Sequence, residues 1–122
     1  MKNLIEKGEE TLSRLQETSA SVQIVIRRGE EACQLSAVVG QTVYEVDNNF
    51  GAENWISRDF IVERDELIFS SGLFKPQRGD RVWQMRTGIT SIYEVKSPGD
   101  QQAVEHSGET RYRIHTMLVE EL

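Results

Sequence analysis

Cysteine, histidine and proline are scarce in this chain, and each scarcity removes a class of protein. A single cysteine, Cys33, among 122 residues excludes an internal disulfide framework and a cysteine-rich zinc site, and it favours a compartment that is reducing or indifferent to redox. The two histidines, His106 and His115, show no HExxH spacing and have no cysteine beside them, so a metal centre would have to be gathered from scattered carboxylates. Two prolines leave no Pro-rich linker, and neither a repeat nor a low-complexity segment interrupts the chain. No GxxxxGK[ST] or GxGxxG phosphate-binding loop occurs. Long apolar runs are missing as well. The first ten residues, MKNLIEKGEE, are charged, and nothing approaches the roughly 20 apolar residues that cross a bilayer, so neither a signal peptide nor a membrane span is expected.

Positive charge is in the minority: 14 Lys and Arg face 20 Asp and Glu, for a formal net charge of −6. Nucleic-acid binding draws its general affinity from cations that displace condensed counterions, so a DNA or RNA binder is not expected. An acidic protein that surrounds DNA without gripping it is the exception. The length suits one domain, residues 1–122, which buries on the order of two-thirds of its unfolded surface and needs no staple.

What is present reads as one helix followed by strands. Over residues 2–17, Leu4, Ile5, Leu12 and Leu15 share one side of a helical wheel, and Thr18-Ser19-Ala20-Ser21 breaks the pattern. From residue 22 the period becomes two. Val22, Ile24 and Ile26 alternate, Arg28-Gly29-Glu30 turns the chain, and Cys33, Leu35, Ala37 and Val39 alternate back to a stop at Gly40. Further strands are expected around Val43-Tyr44, over Asn54 to Val62, Arg81 to Arg86, Ile89 to Lys96 and Arg111 to Glu121, with a turn-rich stretch from Asp47 to Glu53. The 63–79 connection carries Leu67, Ile68, Phe69, Leu73 and Phe74, more apolar surface than a solvated loop needs, so part of it packs under the barrel or against another chain. The expected fold class is mainly β: a small antiparallel barrel or sandwich over 22–121, with one N-terminal α-helix.

No constellation for catalysis stands out. Cys33 alternates with apolar neighbours and reads as a small core residue, without the histidine base a catalytic thiol requires. His115 reads as a strand residue that bonds a neighbour or faces solvent. Asp47, Asp59, Asp65, Asp80 and Asp100 fall mostly where turns are expected, and there Asp serves the local backbone rather than a carboxylate pair. Arg78-Gly79-Asp80 reads as a turn into a strand. Trp55 and Trp83 read as barrel or interface anchors. Arg111, Arg113 and His115 alternate along the last strand and suggest a cationic face through which an acidic chain meets a copy of itself. The candidate interface comprises Asn48, Phe50, Leu67, Phe69, Leu73, Phe74, Arg111 and Arg113. An alternative is a small β-barrel module that binds a peptide, nucleotide or sugar on Trp55, Trp83 and Tyr93. No cofactor is expected.

The order of these parts resembles the head–tail joining proteins of tailed bacteriophages, among them the tail-attachment and head-completion proteins of siphophages. The likeness lies in Phe60-Ile61-Val62 followed by Asp65-Glu66-Leu67, in Arg78-Gly79-Asp80 and its strand, and in Tyr93-Glu94-Val95 with Ser97-Pro98-Gly99-Asp100 after it. The resemblance implies a non-enzymatic virion or prophage protein, assembled in the bacterial cytoplasm. It also implies a ring, a hexamer or higher, whose neighbours are copies of itself, the portal or adaptor, and tail proteins. DNA would pass only as a polymer in the channel, and no membrane is involved. YRIHTM and the Leu67 to Phe74 segment depart from the pattern, so adaptor, stopper and tail-terminator positions all stay open.

Overall fold

Apolar side chains at every second position need a sheet with one covered face, and the chain satisfies this by closing the sheet on itself. The computed structural model describes residues 11–48 and 51–122. Its strands are β1 (Thr11–Arg28), β2 (Glu31–Asn48), β3 (Gly51–Glu63), β4 (Ile68–Phe69), β5 (Gly72–Leu73), β6 (Arg81–Arg86), β7 (Ile89–Val95), β8 (Val104–Ser107) and β9 (Arg111–Glu121), with a 3-10 turn at Arg64–Glu66. The main sheet runs β3-β2-β1-β6-β7-β9-β8, and a β3–β9 pairing joins its flanks into a barrel of six antiparallel strands. The short β8 extends the sheet beside β9, which pairs with β3 along its other edge.

The apolar rows expected from the sequence line the interior. Ile24, Ile26, Cys33, Leu35, Ala37, Phe60, Val62, Val82, Tyr93, Val95 and Ile114 form one buried cluster. Leu67 and Phe69 enter the same cluster from the connection after β3, and the Cys33 thiol bonds the Glu66 carbonyl there at 3.2 Å. The 63–79 connection therefore holds the 3-10 turn and the small β4–β5 hairpin and contributes to the core. On the interior face, Arg58 donates twice to the side-chain oxygen of buried Gln84 (3.1 and 2.8 Å). Its guanidinium lies 5.6 Å from the Phe60 ring and 5.5 Å from that of Tyr93, so the planar cation ends the apolar column.

The expected helix is corrected. Residues 2–10 lie outside the described residues, but Thr11–Glu17 is strand, paired residue for residue with Val46–Gly40 of β2, and no α-helix occurs among the described residues. The physical reason is that β2 does not stop at Gly40. It runs on to Asn48 and offers residues 11–17 a ladder partner. The Thr18-Ser19-Ala20 stretch becomes an irregularity inside β1, where the register slips between Glu17 and Ser21. The two-residue turn into β2 is made at Gly29, whose φ of 60° favours glycine.

Three strands outrun the barrel. β1 meets β6 only over Ile24–Arg27, and β3 meets β9 only over Arg58–Glu63, whereas the mutual pairing of β1, β2 and β3 continues to Thr11, Asn48 and Gly51. The continuation is a three-stranded ribbon roughly 25 Å long at about 3.3 Å per residue.

Candidate functional site

The polar residues of β2, β3 and β9 that point away from the barrel interior form one network. Ser57 and Asp59 are two apart on β3, as are Arg113 and His115 on β9, and register sets Asp59 beside His115. All four are buried. Asp59 accepts hydrogen bonds from Thr42, from Ser57 (2.6 Å), from Nε of Arg113 (2.6 Å) and from Nδ1 of His115 (2.9 Å). The other ring nitrogen of His115 bonds Glu105 of β8 at 2.6 Å. Burial disfavours the charged imidazole, but the bonds to Asp59 and Glu105 outweigh it and hold the pKa up at about 9. Burial likewise opposes ionisation of Asp59, and the bonds from His115, Ser57 and Thr42 outweigh it, so its pKa is lowered. The Tyr44 ring meets the His115 ring edge-on at 5.7 Å, and burial pushes its phenol up.

This network resembles a catalytic constellation only in composition. His115 has a carboxylate on each nitrogen and no exposed surface, so it has no free position from which to move a proton for a substrate. Its work is to bind β3, β8 and β9 together. Among the described residues no group of histidine, cysteine and carboxylate is placed to hold a metal ion.

Several candidate interface residues prove to be internal. Leu67 and Phe69 lie in the barrel core, and Arg113 bonds Asp59 and the Gln41 carbonyl (3.2 Å), so these three are buried within the subunit. The cationic face expected on the last strand is thereby reduced to half-buried Arg111. Phe74 is half-buried and stacks on Phe69 with ring centroids 3.6 Å apart, under the guanidinium of Arg28. Leu73 stays exposed at 72%, and across the β4–β5 hairpin its partner Ile68 is exposed at 53%; together they form an apolar knob. Asn48 ends β2 opposite Gly51, and Phe50 lies outside the described residues. The aromatic trio suggested for stacking does not share a surface. Tyr93 faces the core, while Trp55 and Trp83 stand on β3 and β6, across the barrel from one another.

Sequence reasoning grouped Asp59 with the turn aspartates, whereas it lies within β3 opposite His115, and it passed over Glu105. The available signal was the i, i+2 spacing of Ser57 with Asp59 and of Arg113 with His115, which puts polar partners on one face of strands whose other face is apolar. Arg78-Gly79-Asp80 is the turn expected of it. Asp80 is buried, accepts a bidentate bond from Arg28 (2.9 Å each) and takes the Gln77 N–H at 2.9 Å, tying the turn to the end of β1.

What the molecule offers outward is thus a ribbon, an apolar knob and charged rims around a closed barrel. No curated protein and no solved structure is found to match the chain. A family model described as phage head-tail joining protein matches residues 2–122. With nearly the whole chain covered by that match, the chain belongs to the phage head-tail joining protein family, structural and non-enzymatic components of the virion at the junction of head and tail.

Proposed function

We propose that the chain is a subunit of a ring at the portal–tail interface, contacting copies of itself around the ring and head and tail components above and below. The three-stranded ribbon carries this reading. Among the described residues, β3 has no ladder partner on its outer side over Asn54–Ser57, and β1 has none on its outer side over Thr11–Gln23. Open edges of this kind invite pairing with another chain. The exposed pair Ile68 and Leu73 supports the reading, since apolar side chains on a hairpin tip gain by burial against a partner. Leu73, Phe74, Arg111, Asn48 and Phe50 remain the proposed contact residues from the sequence. The net charge of −6 suits a channel through which DNA moves without adhering.

Mass photometry and negative-stain imaging of the pure chain, alone and with its portal or tail partner, test the proposal. Closed oligomers are expected, at the latest when a partner is added. A chain that stays monomeric and joins neither partner overturns it.

A further inference from the structure

Where β1 and β6 pair, Arg27 stands directly across from Arg81, and Val25 across from Trp83. Like charges directly opposite on neighbouring strands are unfavourable, so this pair favours an arriving anion. The guanidinium of Arg27 lies 4.8 Å over the Trp83 ring, and Arg81 reaches half-buried Glu94 only at 3.7 Å. Both arginines are exposed and line an open depression with Arg28, Arg78, Trp83 and Glu120. Of these cations Arg28 is neutralised by Asp80, and Arg78 donates to the carbonyls of Ser97, Gly99 and Gln101 without meeting a carboxylate.

The complementary charge lies on the far side of the barrel. In the six-strand circuit β3 is three strands from β6 in either direction. Immediately after β3 the chain exposes Glu63, Asp65 and Glu66 around the 3-10 turn, with none of the turn's side chains buried. The two features also share one end of the barrel, since β1 ends at Arg28, β6 begins at Arg81 and β3 ends at Glu63. The geometry points to a head-to-tail contact in which Arg27 and Arg81 of one copy receive the carboxylates of Asp65 and Glu66 from the next. Opposite charges on opposite sides of one molecule make a contact that repeats from copy to copy, the kind that builds a ring when the rotation closes, whereas a two-fold dimer through either patch would set like charge on like. Planar guanidinium groups suit bidentate carboxylates, and Trp83 supplies an apolar floor. A DNA backbone is the poorer occupant, because Glu94 and Glu120 adjoin the depression and the whole chain is acidic. This inference rests on the ring reading above and names its contact.

The test is charge reversal on the full chain, followed by sedimentation at low and high salt with the head or tail component present. Arg27→Glu with Arg81→Glu, and separately Asp65→Lys with Glu66→Lys, are all at exposed positions and should melt like the wild type. Each double variant should self-associate about tenfold or more weakly, with wild-type association falling as salt rises. A mixture of the two variants should assemble again with the two alternating, because the surviving patches meet in the native sense and the reversed patches meet in the opposite sense. All four reversals in one chain should restore the wild-type assembly. If Arg27→Glu with Arg81→Glu assembles normally, this contact is wrong while the ring stands. If the wild type never self-associates, both fail. DNA binding that depends on Arg27 and Arg81, with assembly unchanged, overturns the contact in favour of a phosphate backbone.

Discussion

Asp59 illustrates how one buried carboxylate organises several strands. It gathers donors from β2, β3 and β9, and through His115 it reaches β8. Replacing it removes the buried carboxylate that Arg113 and His115 share and leaves His115 with Glu105 alone, so Asp59→Asn should destabilise the fold by about 3–5 kcal/mol in chemical denaturation. The pH dependence follows from His115. Its pKa is raised in the folded chain, from an ordinary 6.5 to about 9. The stabilisation is therefore complete below about 6.5 and is lost as pH rises through about 9. Melting temperature should fall between neutral pH and pH about 10, by the equivalent of roughly 1–3 kcal/mol. His115→Gln should remove that step. Asp59 acts in the opposite direction: with its pKa lowered, its contribution is present above the ordinary carboxylate range and is lost in acid. Cys33, Leu35 and Ala37 were legible because an alternating apolar row has one destination. Arg113 was not, because an outward-pointing arginine on a strand is ordinarily solvated, and only the register of β9 against β3 brings Asp59 beside it.

Among the elements, the ribbon was the least legible. Leu12 and Leu15 fit a helical wheel, and residues 11–17 had no strand to pair with as long as β2 was expected to end at Gly40. Non-local pairing then overrode the local period. In the ribbon β3 lacks β9 as its second ladder, so amides of Asn54–Ile56 should exchange hydrogen sooner than those of Phe60–Val62. The connection after β3 was half legible: its apolar content foretold packing, but not that Leu67 and Phe69 would turn inward while Ile68 and Leu73 turn outward. Ile68→Ser with Leu73→Ser should change folding stability by no more than about 0.5 kcal/mol, yet weaken binding to a head or tail partner in a pull-down. Leu67→Ala, which empties a core position, should cost about 2–5 kcal/mol.

For the molecule as a whole, a small barrel holds its cationic depression on β1 and β6 and its acidic turn beyond β3, and among the described residues the ribbon's outer strands have no second ladder partner. Buried Asp59, Arg113 and His115 are committed to one another and to Glu105. The order of strands and turns was readable from the sequence. The closure of β3 on β9 was not, since only the three-dimensional register joins residues 48 to 58 apart. The most direct test is electron microscopy of lysates from a phage that carries this gene, with the gene silenced and the purified chain then added back. Separate DNA-filled heads and finished tails that unite on addition of the chain are expected; intact virions formed in its absence would contradict the account.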